Sequence, residues 1–157
     1  MAEITLAKAL KVKNRLTGRL AKVQADILAY NSVPQGQADQ VNVPALMQAR
    51  EELVRALVAL KAAVNDANRE VQRDIYDLAE KKATAQFLAG VSTRHGPQPP
   101  VYPSTVEVNY VAALKKADVD GLVAGLEKEI DQLQDRLDQF NHVHTIEVDG
   151  RIPELAS

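Results

Sequence analysis

Apolar residues recur at three- and four-residue steps along four stretches of the chain. Leu16, Leu20, Val23, Ile27 and Tyr30 form one row. Leu46, Leu53, Leu57, Leu60, Val64 and Val71 form a second, and Val119, Leu122, Leu126, Ile130, Leu133, Leu137 and Phe140 a third. A weaker row runs through Ile75, Leu78 and Leu88. Spacing near 3.5 residues lays each set along one seam of a helix, so the helices must pack on one another. The pattern predicts a mainly α protein, an antiparallel helical bundle or elongated coiled coil of about four helices, with a small two-stranded β annex. The helices are expected over 5–30, 44–68, 74–91 and 118–140.

Start and stop residues sharpen these bounds. Thr5 suits an N-cap, because its hydroxyl can accept a hydrogen bond from a free first-turn amide. A polar loop from Asn31 to Asn42, with Pro34 and Gly36, is long for a helix connection and is expected to be mobile or used. Val43-Pro44 opens the second helix, where proline is tolerated in the first turn. No Gly or Pro interrupts Ala45 to Ala89, which permits one very long helix. The apolar seam nevertheless weakens over Asp66 to Asp74, predicting a break near Asn68 and a restart near Asp74. Gly90 and Ser92 close the third helix, and Gly96, Pro97, Pro99, Pro100 and Pro103 forbid regular helix after it.

The stretches 105–111 and 142–149 alternate apolar and polar residues and read as strands that pair with one another. A lone two-stranded ribbon is marginal in water, so it should pack on helix or join a neighbouring subunit. Asp118 or Asp120 is expected to cap the last helix. A turn at Asp149-Gly150 and a short tail containing Pro153 finish the chain.

At 157 residues the chain fits a single domain, 1–157. Aromatics make up only 4% and tryptophan is absent, so the core must be built from Leu, Val, Ile and Ala. A formal charge of −2 gives no bulk attraction to a nucleic acid polymer. The lack of cysteine removes disulfides, thiolate metal sites and a cysteine nucleophile; it fits a reducing interior and is compatible with export. No targeting segment or membrane-spanning run of about 18 apolar residues is visible. The expected location is cytoplasmic, in a bacterium or a phage-infected host cell.

Charge is partitioned along the chain. From Met1 to Tyr30 six basic residues (Lys8, Lys11, Lys13, Arg15, Arg19, Lys22) face only Glu3 and Asp26. From Asp118 to Gln139 seven acids face Lys128 and Arg136. Two readings follow: the basic first helix lies beside the acidic last one and sets their pairing, or Lys8, Lys11, Arg15, Arg19 and Lys22 form a stripe that meets an anionic ligand.

Several short motifs occur in a telling order: Ile4-Thr-Leu-Ala-Lys-Ala-Leu, Val64-Asn-Asp-Ala-Asn68, Asp77-Leu-Ala-Glu-Lys-Lys, Val106-Glu-Val-Asn-Tyr-Val and Phe140-Asn-His-Val-His-Thr145. Over roughly 4–145 the chain resembles the septicolysin-like family of small helical bacterial and phage proteins. In that family the second helix closes with an Asn-x-x-Asn pair, here Asn65 and Asn68. The last helix closes with Asn, an aromatic and then Thr, here Asn141, His142 and Thr145. This chain carries histidine in place of the aromatic and adds a proline-rich loop from Pro97 to Pro103. The resemblance implies a helical, oligomeric protein. The family name implies a pore-forming toxin, yet no membrane-inserting segment is apparent.

Candidate chemistry is sparse. His142 and His144, two apart on an expected strand, would share a face and could start a metal site completed by Glu107 or His95; a polar surface or capping role is the alternative. Arg94, His95, Tyr102, Ser104 and Thr105 sit on the proline-stiffened loop, with Lys115 and Lys116 just downstream. Arginine offers a fork of donors for phosphate or carboxylate, and tyrosine a ring to stack. A solvated connection carrying chance cations is the other reading. Asn65, Asn68 and Asn141, or Asn14, suit polar helix interfaces, where a buried Asn fixes register; the first two suit helix-end capping equally well. Gly121 and Gly125, four apart, suggest close approach of a neighbour.

No acid–base constellation, Gly-rich phosphate loop or cofactor motif is present. The expected function is a non-catalytic, homo-oligomeric interaction or scaffold protein, not an enzyme. The alternative is a ligand-sequestering protein of phage anti-defence type. It would hold a small anionic nucleotide signal in inter-subunit pockets, using Lys11, Arg15, Arg94, His95, Tyr102 and Thr105.

Overall fold

The computed structural model describes residues 1–38 and 40–157; Asp39, within the loop expected over 31–42, lies outside the described residues. The elements in chain order are β1 (Ala2–Thr5), α1 (Leu6–Tyr30), α2 (Val43–Asn68), α3 (Gln72–Ala89), β2 (Gly96–Gln98), β3 (Val108–Tyr110), α4 (Lys116–Val143), β4 (Thr145–Val148) and α5 (Arg151–Leu155). The protein is mainly α with a small β component. The chain divides into two compact units, Met1–Glu70 with Asp138–Ser157, and Val71–Leu137.

Local chemistry sets the helix ends. Thr5 caps α1, its Oγ1 accepting the Lys8 amide at 3.2 Å. Asn42 caps α2 through Oδ1 and the Ala45 amide at 3.0 Å, with Pro44 in the first turn. A 3₁₀ turn over Arg69–Val71 separates α2 from α3, at the place where the seam fades. Asp118 acts differently from expectation: α4 begins at Lys116, and the Asp118 carboxylate reaches back from the first turn to the Lys115 amide at 2.9 Å. Asp120 instead pairs with Lys116 at 2.7 Å.

In the first unit α1 and α2 pack face to face. Arg50, early in α2, bonds to Gln24, late in α1, at 3.2 Å, which fixes the pair as antiparallel. Leu6, Ala9, Val12 and Leu16 meet Leu53, Ala56, Leu57 and Leu60, and Ile146, Val148, Ile152 and Ala156 complete the core. β1 and β4 pair antiparallel, Ala2 opposite Val148 and Thr5 opposite Thr145. Alternation sends Ile146 and Val148 of β4 into the core, so this ribbon is anchored on helices.

In the second unit α3 and α4 are matched by charge and by leucine. Leu78 packs with Leu133 and Leu137, flanked by Val71, Ile75 and Ile130. Asp74 lies 3.7 Å from Arg136, and Lys81 lies 2.6 Å from Glu129. β2 and β3 form a second antiparallel ribbon, Gly96 opposite Tyr110.

Three expectations need correction. The strands over 105–111 and 142–149 do not pair with each other: β3 pairs with β2, and β4 with β1. The second strand also starts later, at Thr145, because α4 continues through Val143 and the His144 amide still bonds the Phe140 carbonyl at 2.8 Å. The ion pairs Lys81–Glu129 and Asp74–Arg136 tie acidic α4 to α3, and the helix packed on basic α1 is α2. Among the described residues no helix is long and apolar enough to cross a membrane.

Candidate functional site

The proline-rich segment gives the clearest constellation. Gly96 takes φ +86°, a left-handed conformation that suits glycine, and turns the chain into the β2–β3 ribbon. Pairing of Gly96 with Tyr110 then brings Arg94 over the Tyr110 ring, 5.7 Å from its centroid. Arg94, Gln98, Ser104 and Tyr110 line an open cavity of about 380 Å³ together with Pro99, Pro100, Val101, Val106 and Val108. A guanidinium over a ring, beside an amide and a hydroxyl, can hold an anionic group next to a planar one.

The other predicted loop residues do different things. His95 accepts the Ala112 amide at Nδ1, 3.2 Å away, so its ring braces the chain beyond β3. Tyr102 is 95% exposed and precedes a cis peptide bond to Pro103. Neither it nor exposed Thr105 lines the cavity. Lys11 and Arg15 are exposed on α1 in the first unit, while Arg94, His95, Tyr102 and Thr105 belong to the second. Gln98 and Tyr110 escaped sequence reasoning; a pairing register places them beside Arg94, and no local motif encodes it.

The histidine pair is not a strand pair. His142 lies in α4, its Nδ1 2.7 Å from the Asp138 carbonyl. His144 stacks on Phe140 with ring centroids 4.7 Å apart. Glu107 and His95 sit in the other unit, and among the described residues no group of three or more potential ligands gathers. Asn65 is exposed near the end of α2, Asn68 ends that helix half-buried, and Asn141 is half-buried on α4; Asn14 is exposed. Gly121 and Gly125 face open space: a Cβ at either would meet nothing within 4 Å, so the close neighbour expected there is not found among the described residues.

A second cavity of about 310 Å³ in the first unit is lined by Glu52, Arg55, Asp149 and Arg151. Its charges cancel, with Arg151 spent on Glu52 at 3.1 Å. The Lys81 ammonium holds its proton above the ordinary lysine value of 10.5. Its hydrogen bond to Glu129 is the main cause, and partial desolvation opposes it.

The chain matches no protein-family model, no curated protein and no solved structure.

Proposed function

We propose that this chain is a non-catalytic helical interaction protein that assembles with copies of itself. One observation carries the reading: large apolar side chains stand exposed on the second unit, Tyr76 at 65%, Phe87 at 69%, Val101 at 80%, Val106 at 64% and Val111 at 86%. The β2–β3 ribbon has three-residue strands and an exposed β3, which is marginal unless something covers it. The septicolysin-like resemblance, which implied an oligomer, supports the same reading. The cytoplasm is the compartment this reading assigns. Light scattering tests it: a mass that is a multiple of 17.1 kDa is expected, and a concentration-independent 17.1 kDa species overturns it.

Arg94 over Tyr110 favours a second role, sequestration of a small anionic nucleotide. Thermal shift against mono- and cyclic nucleotides should then show a stabilised species, and Arg94→Ala should remove the shift without changing assembly. Stabilisation that survives Arg94→Ala rejects this cavity.

A further inference from the structure

The outer face of α1 carries a second seam. Ala7, Leu10, Asn14, Ala21, Ala25 and Leu28 repeat at three-, four- and seven-residue steps, and from Asn14 onward all are exposed, Leu28 at 84%. These side chains are mostly small, which permits close approach of another helix. Beside them runs a row of exposed cations, Lys8, Lys11, Arg15, Arg19 and Lys22, about 21 Å long at 1.5 Å per residue. Among the described residues Lys8, Lys11, Arg15 and Lys22 take part in no ion pair. Arg19 donates to the Leu155 and Ser157 carbonyls.

That row decides what can cover the seam. Two α1 helices placed together would set like charges against like, so the covering helix must be acidic. The chain supplies one. On α4 the exposed carboxylates Glu127, Asp131 and Asp135 recur every four residues over about 12 Å, the same step as Lys11 to Arg15 to Arg19. These three acids also take part in no ion pair among the described residues. Exposed Ala124 and the open faces of Gly121 and Gly125 adjoin them, so α4 too can be approached closely.

We infer that the basic outer face of α1 in one copy docks on the acidic face of α4 in a second copy. The inference rests on the self-association proposed above and names its surface. Each copy carries both halves, so every copy can offer either face to another. Isolated surface pairs contribute little, and it is the matched rows with their small-residue seams that give the contact its register.

Sedimentation equilibrium on the full chain tests this with two charge reversals, K11E/R15E/K22E and E127K/D131K/D135K. Each alone is expected to weaken association at least tenfold, and mixing the two variants should restore part of it. Raising salt from 50 mM to 500 mM should weaken the wild type and spare the neutral variant K11Q/R15Q/K22Q. Far-UV circular dichroism checks folding, and the neutral variant serves where a reversal fails to fold. A wild type that associates with neither reversal, neutralisation nor salt having effect overturns the interface and leaves self-association standing. A monomeric wild type overturns both. Reversals that each dissociate the protein yet fail to complement one another overturn the α1–α4 pairing.

Discussion

Leu60 is fully buried between α1 and α2, whereas Leu28 on α1 is 84% exposed. The same side chain therefore carries different weight at the two places. Leu60→Ala is expected to cost about 3 kcal/mol through lost burial and a residual cavity. Leu28→Ala should change the stability of the monomer by less than about 0.5 kcal/mol. Urea melts compare them, and equal losses would contradict the placement of the core. Much of this core was legible, since Leu16, Leu53, Leu57 and Leu60 all stand in the predicted rows. Leu6, Ala9 and Val12 continue the α1 row toward its start and are buried too, though small Ala9 weakens the signal there. Tyr30 and Leu122 fit the rows by spacing but are 41% and 50% exposed, because periodicity marks a face without showing how far its partner extends.

Element boundaries were legible where the determinants are local. Thr5, Asn42 and the polar stretch after Asp66 act within a few residues, and α1, α2 and the α2–α3 break fall close to expectation. β1, β2 and α5 were not visible. Ala2 faces Val148 across nearly the whole sequence, the β2 residues Gly-Pro-Gln read as a breaker, and α5 is a single turn with Pro153 inside it. Charge also works at this scale. Lys81 joins α3 to α4 through Glu129 at 2.6 Å, with Asp77 of its own helix 3.6 Å away. Its ammonium holds its proton above the ordinary lysine value of 10.5, so the stabilisation it contributes is complete below that pH and is lost as pH rises through the raised value. The stability difference between wild type and Lys81→Met should therefore be constant near pH 8 and 9 and shrink above 10.5. A difference that holds unchanged to pH 11.5 would remove the ion pair from the account.

The two units differ in what holds them together. The first closes twelve buried residues, among those described, into one core drawn from α1, α2, β4, α5 and Ala156 just past α5. The second gathers Leu78, Leu133 and Leu137, and residues 71–137 fall near the size, ~70–80 residues, below which one core rarely suffices. The second unit should accordingly open at lower free energy than the first. Amide hydrogen exchange in dilute protein is expected to show faster exchange in α3 and in α4 up to Leu137 than in the buried turns of α1 and α2. Leu133→Ala should accelerate exchange in the second unit and leave Leu6–Leu16 and Leu53–Leu60 unchanged, because those residues share no core cluster with Leu133. Self-association adds a further consequence: contacts on α4 stabilise the second unit by mass action, so its protection should rise with protein concentration while that of the α1–α2 core stays near its ceiling. Protection that is uniform across both units, and indifferent to concentration, would mean that the small leucine cluster needs no help from a second copy.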